Sequence, residues 1–206
     1  DETVRPTQGD LDADGENGTL EDGDTQENDE NDANIVLPSA LTKPEYGDVI
    51  GKANGAFADL FIYNAGADGE KSHAYAINLI NVDPQSNSVH TNLKDTQSGL
   101  FIDLVQDPDG TVRGVVTIDD VVTTVFAISV DPDTGDAALA QYRAVDHGSD
   151  GTASFPDEVV ALGGGYLEAG LTVTDKDGDA VSSARDIGNL IRFDDDGPVG
   201  GLASTV

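Results

Sequence analysis

A chain of 206 residues is long enough to bury a real core, and one main domain is expected of it. Ten Lys and Arg stand against forty Asp and Glu, a formal net charge of −30, which argues against nucleic acid and anionic membranes, since both select cationic proteins. Cys, Met and Trp are absent, so disulfides and thiolate metal sites are excluded, and a self-repelling acidic chain is left with oxygen ligands for a hard cation such as calcium.

Residues 1–34 hold thirteen acidic side chains and one basic one, Arg5, with few apolar residues. Such a stretch cannot build a core and reads as an acidic linker or loop, or as a segment that belongs to the neighbouring module. Within it, Asp10, Asp12, Asp14, Gly15 and Glu21 match the spacing of an EF-hand loop. The context opposes a true EF-hand. Pro6 and Gly9 precede the loop, a Gly- and Asn-rich acidic run follows it, and Asn17 stands where an apolar residue is usual. A bound ion and an acidic linker that fits the pattern by chance both remain open at this position. The start of the chain lacks the pattern of a signal peptide, which suits a cytosolic protein, a piece of a longer chain, or an exported protein whose signal lies elsewhere. No apolar run approaches the length of a membrane span.

From about Ile35 onward, short apolar stretches alternate with Gly, Asp, Asn and Pro, the pattern of antiparallel strands joined by turns. Strands are expected over Asp59 to Tyr63, Ala74 to Val82, Leu100 to Val105 and Val112 to Ile118. Others are expected over Val121 to Val130, Ala137 to Ala144, Tyr166 to Thr174 and Ile187 to Phe193. In the second, Tyr75, Ile77 and Leu79 share one face, with Ala76 and Asn78 opposite. Asp107-Pro108-Asp109-Gly110 and Asp131-Pro132-Asp133-Thr134-Gly135 read as tight reversals, with Pro presetting φ and Gly accepting a positive one. The fold class expected is all-β, an antiparallel β-sandwich, Ig-like or related, with calcium-binding loops.

The sharpest chemistry lies in Asp175-Lys176-Asp177-Gly178-Asp179, three carboxylates at alternate positions around a glycine. Calcium takes six to eight oxygens at about 2.3–2.6 Å, and closely spaced Asp residues on a turning backbone supply several of them. A solvated acidic turn is the plainer reading. The metal is favoured because adjacent like charges in a tight loop repel until a cation offsets them. Asp194, Asp195 and Asp196 form a second cluster before Gly197-Pro198, suited either to an ion at the domain edge or to ending a strand and discouraging edge pairing. Filled at about 10⁻⁴ to 10⁻³ M, such weak sites would stay empty in the cytosol and load outside the cell, coupling folding to export.

Several motifs, taken together, resemble a known family. These are Phe61-Ile62-Tyr63-Asn64-Ala65-Gly66-Ala67-Asp68-Gly69, then Ser98-Gly99-Leu100 and Val125-Phe126-Ala127-Ile128-Ser129-Val130-Asp131. Thr134-Gly135, Gln141-Tyr142-Arg143-Ala144-Val145-Asp146-His147, the Thr174 to Asp179 run and Phe193-Asp194-Asp195-Asp196-Gly197-Pro198 follow in order. The set, covering roughly Ala58 to Pro198, is similar to the calcium-dependent repeat module of giant RTX adhesins exported by type I secretion. The resemblance implies an extracellular module at the bacterial cell surface that folds with calcium and presents or spaces ligand-binding domains for adhesion and biofilm formation. It implies adjacent domains of the same adhesin as partners, with a sugar-binding domain inserted in some relatives. The chain itself is expected to be a monomer. On this reading residues 35–200 are the module and 201–206 the start of a linker. Residues 1–34 depart from the family pattern.

An enzyme is not expected. His73, His90 and His147 are the only histidines, no nucleophile motif accompanies them, and Gly163-Gly164-Gly165 lacks the Lys-Ser or Lys-Thr of a phosphate loop and reads as a turn. A carbohydrate- or peptide-binding module is the alternative to a spacer. With no Trp, and with most Tyr and Phe inside expected strands, stacking platforms are scarce, and the spacer is preferred.

Overall fold

A computed structural model of the chain describes residues 4–6, 35–148 and 159–194. Among them the strands are β1 (Val4–Pro6), β2 (Gly51–Ala56), β3 (Glu70–Leu79), β4 (Val89–Lys94), β5 (Phe101–Gln106) and β6 (Val112–Ile118). They continue with β7 (Val121–Val130), β8 (Asp136–Gln141), β9 (Val159–Ala161), β10 (Leu167–Asp175), β11 (Ala180–Asp186) and β12 (Ile191–Asp194). The protein is all-β, and its strand pairings are antiparallel.

A six-stranded sheet runs β2-β8-β7-β6-β5-β4, and two three-stranded sheets run β11-β10-β3 and β1-β12-β9. One contiguous core joins all three. Ile102 and Leu104 of β5, Phe126 and Ile128 of β7 and Leu139 of β8 pack with Ile77 of β3, Leu167 and Ala169 of β10, and Ile191 and Phe193 of β12. The smaller sheets therefore close over one face of the large one, in the manner of a sandwich. Each large apolar side chain buried there contributes about 1.5–3 kcal/mol.

Tight turns set the order of the large sheet. Gly110 N–H donates to Asp107 O at 3.0 Å with φ +88°, which closes β5 onto β6, and Gly135 N–H donates to Asp131 O at 2.9 Å with φ +77°, which closes β7 onto β8. Between β6 and β7 the two turn residues Asp119 and Asp120 both take positive φ, 49° and 64°, as a twisted two-residue hairpin demands. Alternation on β3 is as expected, with Tyr75 and Ile77 buried and Ala76 and Asn78 exposed. Strand β7 is buried on both faces, because residues 37–49 fold over its outer side. Leu41 and Tyr46 cover Ala127 and Ala140, and Tyr142 Oη donates to Leu41 O at 2.6 Å.

Two expectations fail locally. No strand forms over Asp59 to Tyr63. Phe57–Leu60 is instead a 3-10 turn that drops Phe57 into the core, and Ile62 projects fully into solvent. Residues Ile187 to Leu190 are also not strand, since Gly188–Leu190 makes a second such turn before β12 begins at Ile191. The three glycines behave as expected, with a turn at Gly164 and Gly165. No helix among the described residues is long and apolar enough to cross a membrane.

Candidate metal centre

Strands β10 and β11 pair from Glu168 with Asp186 to Thr174 with Ala180, so Asp175 to Asp179 is the loop that reverses the chain. Asp175 organises it. Its N–H donates to Asp179 O at 3.0 Å, and its Oδ1 accepts from Gly178 N at 3.0 Å and Asp179 N at 2.9 Å. Gly178 sits at φ +103°, where a side chain would be strained, and Lys176 N–H donates to Gly69 O at 3.1 Å, tying the loop to the approach to β3.

This folding gathers one carboxylate oxygen from each of Asp175, Asp177 and Asp179 within 4.8 Å of one another, and it is the single such group among the described residues. Two oxygens on one calcium ion can stand no further apart than twice the Ca–O distance, about 4.6–5.2 Å. The trio is thus compact enough to share an ion, with solvent free to supply further ligands, since Asp177 and Asp179 are exposed and Asp175 is half-buried. The electrostatics record the crowding. A hydrogen bond with Asp177, joined by loop N–H groups, holds the Asp175 carboxyl below its ordinary value. The same hydrogen bond with Asp175 and the repulsion of its charge push the Asp177 carboxyl up. One carboxylate resists ionising beside the other, and a divalent cation is the direct way to relieve both.

Asp194 ends β12, whose backbone pairs with β9, while Asp195, Asp196, Asp10, Asp12, Asp14 and Glu21 lie outside the described residues.

Three polar clusters went unread in the sequence. Asp95, with no side-chain exposure, accepts two hydrogen bonds from Arg143 and two from Ser98. Asp107 accepts Arg113 Nε at 2.9 Å and Nη2 at 2.8 Å as well as Tyr46 Oη at 3.1 Å, while Lys43 Nζ donates to Asp109 at 3.0 Å. Arg113 lowers the Asp107 carboxyl, and Lys43 brings that of Asp109 down to about 2. Finally, His73 Nδ1 meets Glu70 and its Nε2 lies 2.8 Å from Asp133 O, with Tyr63 Oη 2.8 Å from the same Glu70. Each joins residues far apart in the chain, which no local spacing announces.

Residues 19–188 match the family described as a domain of unknown function, DUF5801. The chain belongs to that family. The matched span begins inside the acidic segment, takes in the whole Asp175 to Asp179 loop and the three polar clusters, and stops before Asp194. No curated protein and no solved structure matches the chain.

Proposed function

We propose that this chain is a non-catalytic structural module of a long, exported bacterial surface adhesin of the RTX type, stiffened by calcium at the β10–β11 loop. The observation that carries this reading is the convergence of Asp175, Asp177 and Asp179 on one point, in a loop that orders its own backbone around Asp175. The ordered motifs that resemble the RTX adhesin module support the setting. So does the composition, since forty acidic residues without a cysteine suit a calcium-rich exterior better than a compartment poor in that ion. In this role the ion cross-links the end of β10 to the start of β11, turning mutual repulsion into a stiff hairpin. The domain then spaces or presents neighbouring binding domains of the same polypeptide. The alternative, a module that itself binds sugar or peptide, draws on a cleft of about 890 Å³ lined by Tyr75 to Asn78 of β3 and by Asp131, Pro132 and Asp136 of the β7–β8 hairpin.

Calorimetric melting in calcium, magnesium and chelator tests the proposal. At about a hundred times its dissociation constant the ion adds about 2.7 kcal/mol, which for a domain of this size raises the midpoint by about 5–10 °C. An identical midpoint in millimolar calcium and in chelator would sink the idea.

A further inference from the structure

Among the described residues β11 is the long sheet edge with the least to blunt it. Its seven residues, Ala180–Asp186, pair with β10 alone and without a register shift, and all seven are exposed. The other edges differ. On β3, Tyr75 N–H donates to Pro132 O and Ile77 O accepts from Gln106 Nε2, so that edge is engaged. Strand β4 has a register shift and ends in Lys94, β2 holds Lys52, and β1 and β9 are three residues each. Bulges, lysines and shortness are devices that discourage edge pairing, and β11 has none of them, nor a proline. Which of its backbone groups face outward follows from the two ends of the β10–β11 ladder. Ile187 N–H donates to Leu167 O at 2.9 Å and Asp175 N–H to Asp179 O at 3.0 Å. Antiparallel bonding skips every second pair, so Val181, Ser183 and Arg185 turn their backbone groups to β10. Ala180, Ser182, Ala184 and Asp186 turn theirs outward, where no other described backbone meets them.

We propose that β11 is a docking edge for a second copy of this chain, the two β11 strands pairing antiparallel about a two-fold axis at Ser183. The occupant follows from the register. Outward-facing residues must oppose one another, and the register that overlaps all seven sets Ala180 against the partner's Asp186 and Ser182 against the partner's Ala184. A slip by two residues leaves two fewer paired. Between those bonded pairs Ser183 meets the partner's Ser183, hydroxyl to hydroxyl, and Val181 meets the partner's Arg185. No like charges stand opposite. Arg185 lies along a valine, which is 62% exposed in the single chain, and Asp186 faces an alanine. The acidic Asp175 to Asp179 loops fall at opposite ends of the junction, about 40 Å apart, well beyond the screening length of about 10 Å. Pairing joins β3-β10-β11 of each copy into one six-stranded sheet. The monomer expected from the sequence is then the dilute form. Copies crowded at a cell surface, or strung along one polypeptide, meet at high effective concentration. The edge itself depends neither on that setting nor on calcium at the loop.

The test is sedimentation equilibrium of the full chain in calcium and physiological salt, with two kinds of variant. A seven-residue strand junction is a small interface, so half-dimerisation is expected at about 0.1–1 mM chain. Ala184→Pro removes an outward N–H and leaves the β10 ladder whole, so it is expected to weaken the dimer at least about tenfold with the melting midpoint little changed. The chain has no cysteine, which makes a single introduced one a clean probe. Ser183→Cys sets two thiols in a non-bonded pair with Cα atoms about 4.5 Å apart, inside the range of about 4.4–6.8 Å that a disulfide spans. With oxidised glutathione it is expected to link into dimers at least about tenfold faster than Ala180→Cys, whose two copies sit about 20 Å apart. This cysteine pair decides by itself if Ala184→Pro lowers the midpoint. A wild-type chain still monomeric at about 1 mM overturns the proposal. So does a dimer that a well-folded Ala184→Pro leaves intact, or equal cross-linking of the two cysteine variants, since the contact then lies elsewhere.

Discussion

Arg143 grips Asp95 with both arms of its guanidinium, Nε to Oδ1 at 2.8 Å and Nη2 to Oδ2 at 2.9 Å, across 48 residues of sequence. Ser98 adds its N–H at 2.8 Å and its hydroxyl at 2.5 Å to the same carboxylate. Asp95 is wholly buried, and its backbone pairs with Val145, so the turn after β4 is latched to the segment that leaves β8. Replacing Arg143 by Met strands a buried charge. The cost expected in urea unfolding is about 3 kcal/mol, at the low end for such pairs because 20% of the Arg143 side chain remains exposed. Adding Asp95→Asn to that variant should recover part of the loss, since the orphaned charge goes with it.

The same latch fixes an acid response. Burial alone would raise the Asp95 carboxyl, but Arg143 and Ser98 more than offset it and the group titrates below its ordinary value of 3.8. A carboxyl depressed on folding contributes stability that is present above the unfolded value and lost as the pH falls through the folded one. Between about pH 4 and pH 2 the wild type should therefore lose stability more steeply than the doubly substituted protein. Parallel acid-unfolding curves would refute the assignment.

Gly114 lies where β6 and β7 slip register, and a Cβ there would fall on the edge of the Phe126 ring. Phe126 in turn packs on Phe193 with ring centres 4.9 Å apart, both fully buried. Gly114→Ala should cost about 1–3 kcal/mol in denaturant unfolding, by pushing the Phe126 ring against Phe193. A neutral result would mean that the ring has room to swing aside.

What could be read ahead of the structure tracks how strongly each strand writes its burial into side-chain type. Strands β6 and β7 match the expected spans residue for residue, because β-branched runs flank a two-residue turn. Strand β2, Gly51–Ala56, was invisible: its one buried hydrophobic side chain, Ala53 opposite Leu139 of β8, is small, and Gly51, Lys52, Asn54 and Gly55 around it write no apolar alternation. In β4 the buried row is Val89, Thr91 and Leu93, and Thr91 disguised the alternation by satisfying its hydroxyl on Ile102 O at 2.7 Å. Every residue of β11 is exposed, so it has no inward face to write. The Asp175 to Asp179 loop was legible because its ligands are neighbours in sequence. The Asp95 latch was not, since its two halves meet only after β5 to β8 have paired.

His73 gives a response of opposite sign. Both ring nitrogens face acceptors, Glu70 on its own strand and the carbonyl of Asp133 in the β7–β8 turn, and only the protonated ring can donate to both. The hydrogen bond to Glu70 first, and that to Asp133 second, raise its titration above the ordinary 6.5. Stability from this contact is fully present below the unfolded value and disappears as the pH climbs through the folded one. Melting midpoints of wild type and His73→Gln should therefore converge as the pH goes from about 6 to about 8. A constant difference over that window would show that His73 acts by shape alone.

Asp177 and Asp175 make the sharpest pair of variants, because the loop uses the two carboxylates differently. Asp177 is pushed up by Asp175, so its ionised form weakens the metal-free hairpin, and the stability it contributes below the unfolded value is lost as the pH rises through the folded one. In chelator at neutral pH, Asp177→Asn should leave the melting midpoint unchanged or higher. In calcium the same variant removes a ligand, and the calcium-induced rise should fall by at least about half. Asp175→Asn should lower the midpoint in chelator as well, because its charged Oδ1 accepts the N–H groups of Gly178 and Asp179 that hold the turn. A loop without an ion would give both variants the same midpoint in calcium as in chelator. A loop with one gives Asp177→Asn a gain or no change in one buffer and a loss in the other, a reversal that backbone damage cannot imitate.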